Sequence, residues 1–313
     1  MLSLRSFARS LCSPGILTPQ PSNGSKYNCS PSFEVRITQR KISCPPQLPQ
    51  LDAARPTAAE SADHVRHVDD YLKSRGIVKI GLQFDDDNCI YLEKLIRHLH
   101  KSHGHGLPIT HSASRGWFWD VRPQPADPVQ AHIARSETMK EFPWHTDCSY
   151  EANPPRYFAL QVIQPDQCGG GTFSALDISR LVSFLSPTAR KALRKPKFRI
   201  AVPPEFMKHE DAKYITGQLL QADDGCGIAR LRFREDLITP LTPAASIAFQ
   251  ELQRTLTSSD MQSEVMNIPS GMLPRGSIIA MDNRRWLHGR NQVLDPNRHL
   301  RRVRWDAQPF VQL

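Results

Sequence analysis

Two rhythms of hydrophobic and polar positions run along this chain. Residues 59 to 75 carry apolar side chains at helical spacing up to Gly76, and Ile77-Val-Lys-Ile-Gly-Leu82 follows as a strand. A second apolar stripe, Leu92, Leu95, Ile96 and Leu99, predicts another helix. It begins near Asp85-Asp86-Asp87, where acids complement the helix dipole. Beyond it the rhythm shortens: Arg156 to Ile163, Phe198 to Val202, Gly227 to Phe233 and Ser277 to Met281 read as strands. Ile178 to Leu193 and Ala244 to Met261 return to helical spacing as two inserts. The pattern predicts a mainly β domain with flanking α-helices, and no internal repeat is visible.

Residues 1 to 56 are rich in Pro and Ser and are expected to be poorly ordered, although Phe33-Glu-Val-Arg-Ile37 has the pattern of a short strand. The expected division is therefore an N-terminal extension, 1–56, and one domain, 57–313. A chain of 313 residues suffices for a single β-rich domain with a substantial core.

Charge sharpens this picture at the N-terminus. The chain has 40 basic and 31 acidic residues, a net +9, and its first 33 residues contain Arg5, Arg9 and Lys26 but no acid. Met1 to Leu11 has the Arg- and Ser-rich composition of a mitochondrial transit peptide, and a disordered tail fits it equally well. An intracellular location is expected, mitochondrial or else cytoplasmic. No run approaches the roughly 18 apolar residues of a membrane span. The seven cysteines are scattered without a Cys-x-x-Cys pair, which argues against a zinc site or disulfide framework and for a reducing compartment. The remaining basic excess is read as part anion-binding pocket and part solvated arginine rather than as a nucleic-acid surface. The expected partner is a small anionic or zwitterionic substrate; a homo-oligomer is left open.

Candidate chemistry gathers around His145, Asp147 and His288. In a strand, His145-Thr-Asp147 puts an imidazole and a carboxylate on one face, and a remote strand can bring His288 to them. Two histidines and one carboxylate suit Fe(II) and leave three coordination positions open. Thr172 closes Gly169-Gly170-Gly171-Thr172, and Arg298-His-Leu-Arg-Arg302 supplies guanidinium groups four residues apart. Arginine binds carboxylates through paired hydrogen bonds, so either could anchor a dicarboxylic co-substrate.

These residues, in this order, resemble the taurine dioxygenase and TfdA-like superfamily, which includes gamma-butyrobetaine hydroxylase and clavaminate synthase. The resemblance covers roughly residues 76 to 310. It implies a double-stranded β-helix, or jelly roll, that uses Fe(II), 2-oxoglutarate and dioxygen. His145, Asp147 and His288 would be the metal ligands, Thr172 a 2-oxoglutarate contact, and Arg298 the anchor of its far carboxylate. Arg302 would lie near the co-substrate or an acidic group of the substrate. The implied reaction oxidises an unactivated C–H bond of a small organic acid or amino-acid-like molecule, most simply by hydroxylation, and releases succinate and carbon dioxide. The competing readings are a non-catalytic jelly-roll binding protein and a zinc-dependent hydrolase or isomerase on a cupin-like barrel.

Other residues receive structural readings. Trp117 and Trp119 are expected in the core rather than in a pocket, since aromatic side chains serve both, and Trp144 is expected to pack beside the metal rather than to contact substrate. Strand alternation points Cys148 away from the Asp147 carboxylate. His103 and His105 are expected to be solvated. Asn283 and Arg284 are read as supports of the strand that carries His288, and Arg290 as a group close behind the metal ligands.

Overall fold

The computed structural model of the protein describes residues 47–110, 116–124, 133–207, 213–221 and 227–310. The chain enters through strand β1 (Gln50–Ala53), helix α1 (Ala62–Ser74), strand β2 (Ile77–Leu82) and helix α2 (Ile90–His103). The left-handed backbone of Gly76, φ +71°, turns the chain from α1 into β2, a conformation that costs glycine little. The Asp86 carboxylate caps α2 by accepting from the amides of Ile90 (2.8 Å) and Tyr91 (3.0 Å). Asp87 instead pairs with Arg275.

Strands β3 (Phe118–Val121), β4 (Phe142–His145), β5 (Pro155–Gln164) and β6 (Phe173–Asp177) follow. An insert then begins with α3 (Ile178–Ser183), α4 (Pro187–Leu193), β7 (Phe198–Ala201), β8 (Tyr214–Gly217), β9 (Leu220–Gln221) and β10 (Arg230–Leu231). It closes with β11 (Ile238–Pro240), α5 (Pro243–Thr257) and α6 (Ser259–Gln262). The last strands are β12 (Met266–Ile268), β13 (Ser277–Asp282), β14 (Trp286–Arg290) and β15 (His299–Ala307).

Six strands form the major sheet in the order β1-β2-β13-β5-β15-β3, and four form the minor sheet in the order β12-β6-β14-β4. Side-chain alternation sorts them into layers. Val78, Ile80, Tyr157, Ala159, Ile278, Ala280, Val303 and Trp305 point from the major sheet into a core shared with α1 and α2. Their neighbours Ile77, Phe158, Ile279 and Met281 point the other way and meet Phe173, Ala175, Met266, Ile268 and Trp286 of the minor sheet. The minor sheet turns Leu176 and Leu287 outward onto the helical insert, where Leu181, Leu193, Phe198, Phe249 and Leu252 are buried. The protein is thus mainly β with helices on both outer faces. Its functional groups arise in the layer between the sheets.

Several sequence expectations change in detail. Ordered structure starts before the expected boundary at residue 57, because β1 pairs in parallel with β2 from Gln50↔Lys79 to Ala53↔Leu82. The described residues fall in one unit, Cys44–Leu313, and Phe33–Ile37 lies outside them. The two predicted long helices each break at a serine: the Ser186 and Ser258 hydroxyls cap α4 and α6 by accepting from Ala189 and Met261. Of the predicted strand 227–233, only Arg230–Leu231 pairs.

The expectation of solvated His103 and His105 is overturned. Asp69 of α1, 2% exposed, accepts from Nε2 of His105 at 2.9 Å and lies 2.9 Å from Nδ1 of His103 and 2.7 Å from Nζ of Lys73. Trp305 Nε1 donates to Nδ1 of His105 at 3.1 Å, and His105 stacks on Tyr157. The carboxylate came from a helix 36 residues away in the chain.

Candidate active site

His145 and His288 are cross-strand partners where β4 pairs with β14, and their ring centroids stand 4.2 Å apart. Both rings sit in an aromatic collar. Phe142 stacks on His145 at 3.6 Å, and Phe158 and Phe173 lie 4.5 and 5.9 Å from His288. Nδ1 of His145 donates to the Pro143 carbonyl at 2.8 Å, which leaves the lone pair of Nε2 facing inward. Burial, and then the neighbouring His288, push His145 well below its ordinary pKa, so the ring stays neutral and able to ligate.

Asp147 does not reach this point by strand alternation. β4 ends at His145, and residues 147–150 form a turn. Thr146 is held on both sides by Phe233, its amide donating to the Phe233 carbonyl at 2.7 Å and its hydroxyl accepting from the Phe233 amide at 3.0 Å. The Asn283 side chain then clamps Asp147: Oδ1 accepts the Asp147 amide at 2.7 Å, and Nδ2 donates to the Asp147 and Pro155 carbonyls at 3.0 and 2.9 Å. Asp147 Oδ1 consequently lies 3.7 Å from Nε2 of His145 and 3.8 Å from Nε2 of His288. One donor atom from each of the three residues lies within 4.8 Å of the others, and all three side chains are buried. Burial alone would raise the Asp147 carboxyl, but Arg302, then His288 and Arg304, hold it well below the usual carboxylate range.

The end of the strand also moves Cys148. Its backbone is left-handed, φ 54°, and its thiol accepts from Nη1 of Arg304 at 2.5 Å instead of pointing away from the site. Burial raises the thiol pKa.

Two cavities meet at the three ligating groups. The first runs from His145 and His288 past Phe158, Phe173 and Leu300 to Arg298. Arg298 is 5% exposed, and its side chain donates no hydrogen bond to any described residue. Burial pushes its pKa down to about 10, which still leaves it charged at neutral pH. Asp166 is near enough to favour the charged form but no ion pair joins the two, and a buried cation without such a pair is costly. This end of the cavity therefore suits a carboxylate. Gly171 makes room for it: its φ is +64°, and a Cβ there would come within 2.9 Å of Nε of Arg298.

The second cavity opens on the other side of Asp147 and is lined by Cys148, Tyr150, Arg135, Arg234, Arg302 and Arg304, among others. Arg302 and Arg304 are 6% and 4% exposed. Nη1 of Arg302 donates to Oδ1 of Asp147 at 3.3 Å, and Nη1 of Arg304 lies 3.9 Å from Oδ2. Alternation along β15 turns Leu300, Arg302 and Arg304 to the inter-sheet side. Arg301 takes the other face and pairs with Asp120 at 2.9 Å.

The remaining sequence candidates fall elsewhere. Thr172 is not among the residues lining either cavity. Its amide donates to Asn291 Oδ1 at 2.7 Å, and its successor Phe173 takes the inward position. Arg290 lines the first cavity, but its guanidinium braces backbone, donating to the carbonyls of Lys140 and Thr138 at 2.7 and 2.6 Å. Arg284 likewise donates to the Pro154 carbonyl at 2.7 Å. Trp117 packs beneath Arg97, Trp119 beside Phe206, and Trp144 against the helical insert; none lines the two cavities. Arg304 and the phenylalanine collar were not singled out by sequence. The period-2 step from Arg302 to Arg304 was the available signal for the first of them.

L-asparagine oxygenase of Streptomyces coelicolor is 25% identical over 172 residues, 54% of this chain and 46% of that protein, so the match spans about half the length of that curated relative. A structure of asparagine oxygenase with Fe(II), 2S,3S-3-hydroxyasparagine and succinate superposes with a TM-score of 0.62 at 17% identity, covering 80% of this chain and 82% of that one. One of the non-heme iron oxygenase OrfP with Fe, succinate and (3S)-hydroxy-L-Arg gives 0.59 at 17% identity, covering 80% and 83%. These likenesses establish a shared fold. Among the described residues no helix is long and apolar enough to cross a membrane. The model of the family described as taurine catabolism dioxygenase TauD, TfdA family matches residues 44–304, nearly the whole of the described structure, and the chain belongs to that family.

Proposed function

We propose that this chain is an Fe(II)- and 2-oxoglutarate-dependent dioxygenase, built on a double-stranded β-helix, that hydroxylates an unactivated C–H bond of a small organic acid or amino-acid-like substrate. One observation carries the reading. Three ligating groups converge at one end of a buried cavity whose other end holds a guanidinium that forms no ion pair among the described residues. A hydrolase that held zinc on the same triad would have no use for that cation. The hydroxylated amino acids and succinate captured in asparagine oxygenase and OrfP support the same reading.

When bound, Fe(II) with 2-oxoglutarate and dioxygen supplies the oxidising power, one oxygen atom going to the substrate and one to succinate as carbon dioxide leaves. The chain's own residues do the rest. His145, Asp147 and His288 would hold the metal as a facial set, leaving three positions for the co-substrate and dioxygen. Arg302 keeps Asp147 ionised, and Asn283 fixes the turn that presents it. Arg298 would take the distal carboxylate of 2-oxoglutarate, with Gly171 keeping the space for its guanidinium. Phe142, Phe158 and Phe173 exclude water around the imidazoles. Thr172 acts here through the backbone, tying the start of β6 to Asn291. The acid-free N-terminal composition supports mitochondrial import, tested by the location of a fluorescent fusion of residues 1–40.

Anaerobic titration with Fe(II), followed by succinate measurement with 2-oxoglutarate, tests the function. The wild type should bind one Fe(II) per chain and form succinate, while His145→Ala and His288→Ala should lose stoichiometric binding. Wild-type affinity in either variant would sink the ligand assignment.

A further inference from the structure

We infer that Gln308–Phe310, the segment that follows β15, is a positioning element for the iron ligand Asp147 and acts through the guanidinium groups of Arg232 and Arg284. This role rests on the function proposed above. The segment itself lies beyond the family match, which ends at residue 304.

Asp147 stands in a turn rather than in a strand, so its place is set by whatever holds that turn. Asn283 grips one side of it, through the Asp147 amide and carbonyl. The other side is held from the end of β15. There Asp306 takes a left-handed backbone, φ 59°, and its carboxylate accepts from Nε2 of Gln308 at 3.0 and 2.9 Å. The bend lays the next residues along the chain that leaves the turn. The amides of Gln308 and Phe310 donate to the carbonyls of Pro154 and Ala152 at 3.4 and 3.2 Å.

Two buried cations lock these stretches together. Arg232 donates from Nη1 to the Glu151 carbonyl at 3.3 Å and from Nη2 to the Phe310 carbonyl at 2.9 Å. Arg284 donates from Nη2 to the Pro154 carbonyl at 2.7 Å and to the Gln308 carbonyl. Each guanidinium thus ties residues 151–154 to residues 308–310. Phe310, 3% exposed, sets its ring beneath both, 4.3 Å from the Arg232 guanidinium carbon and 5.7 Å from that of Arg284. Gln218 adds a further donor to the Phe310 carbonyl at 3.1 Å. Arg232 and Arg284 are buried away from water, so losing these acceptors would leave charged donors unsatisfied and force the turn to move. Arg284 also directly follows Asn283. Any shift of Arg284 is therefore passed to the amide that grips Asp147, and the same turn presents Cys148 and Tyr150 to the second cavity.

A segment that only stabilised the fold would leave iron binding to folded protein unchanged. A segment that positions Asp147 is linked to the metal, and the metal must hold the segment in return. Amide hydrogen exchange of the full wild-type chain reads this without any substitution: peptides covering residues 307–313 should exchange more slowly with saturating Fe(II) under nitrogen than in metal-free protein. Exchange unaltered by the metal overturns the proposal. Arg232→Gln and a chain ending at Ala307 then measure its size. In each, Fe(II) affinity from anaerobic titration should fall about tenfold or more, as it does when outer partners of metal ligands are lost, with wild-type circular dichroism. The charge-transfer absorbance of the Fe(II)–2-oxoglutarate complex should change with it. Arg232→Lys, which keeps the charge, should recover part of the affinity, and Phe310→Leu, which keeps the carbonyl acceptors, should lose less than the shortened chain. Wild-type Fe(II) affinity in either folded variant, Arg232→Gln or the shortened chain, also overturns the proposal. Failure of the dioxygenase reading is a separate result: wild-type protein that binds Fe(II) yet forms no succinate from 2-oxoglutarate.

Discussion

Arg298 and Gly171 describe one contact from two sides, a cation that must stay within a narrow space and a residue that leaves the space empty. Arg298→Ala removes a charge-assisted contact to a carboxylate, worth about 3 kcal/mol or ~100-fold in affinity, so the KM for 2-oxoglutarate should rise by that order. Gly171→Ala should move the same constant in the same direction by a smaller factor, because its methyl group displaces Nε of Arg298 without removing it. Fe(II) affinity, measured by anaerobic titration, should stay near wild type in both. A loss of iron binding equal to the rise in KM would show that the cavity had collapsed. The type and order of these residues were legible in the sequence: His-x-Asp, a late His and a distant Arg are chemically conspicuous. The route by which Asp147 arrives was not legible, because β4 stops where Thr146 bonds to Phe233, a partner 87 residues away.

Alternation along β15 separates arginines that are adjacent in sequence, and it makes a prediction at the level of the element. Arg301 faces Asp120, so Arg301→Gln should leave the KM for 2-oxoglutarate within about twofold and cost roughly 0–1 kcal/mol of stability, as partly exposed ion pairs do. Arg302→Gln strips the partner from a buried carboxylate, a change that typically costs about 3–5 kcal/mol, and should lower both the melting temperature and Fe(II) affinity. Similar effects from the two variants would mean that the strand register is wrong. The helix layer offers a second test through Asp69 and His105. Burial pushes His105 below its ordinary pKa, opposed by Asp69, so the unfolded chain takes up this proton at higher pH than the folded one. That contribution is full above about pH 6.5 and declines as the pH falls below it. Burial works against ionised Asp69, but hydrogen bonds from Lys73 and His105 hold it below its ordinary pKa, so its contribution is lost at still lower pH. The urea midpoint of the wild type should fall between pH 7.5 and 5.5, and His105→Gln should be less stable with a flatter dependence. An unchanged slope would assign the titration to another group.

At the scale of the whole molecule, sequence rhythm located the major-sheet strands best. β2, β5 and β13 are apolar on both faces because helices cover one side and the minor sheet the other, and such runs stand out. The minor sheet was harder to read. β4 and β14 interrupt their apolar pattern with ligating histidines, β12 is three residues long, and their pairing across the helical insert depends on tertiary contacts. The same dependence hid β1, four residues at an edge that acquire strand geometry by docking on β2. This docking sets where the folding unit begins. The family match starts at residue 44, the compact unit starts at Cys44, and β1 pairs from Gln50 onward. A chain beginning at Ser43 retains every one of these contacts and should keep the full chain's melting temperature, Fe(II) stoichiometry and succinate-forming rate. A chain beginning at Asp52 removes Gln50 and Leu51 from the parallel ladder, uncovers the edge of β2 and should melt at a lower temperature. Equal melting of the two would make β1 an ornament on the sheet, whereas a loss already at Ser43 would extend the folding unit into the first 42 residues.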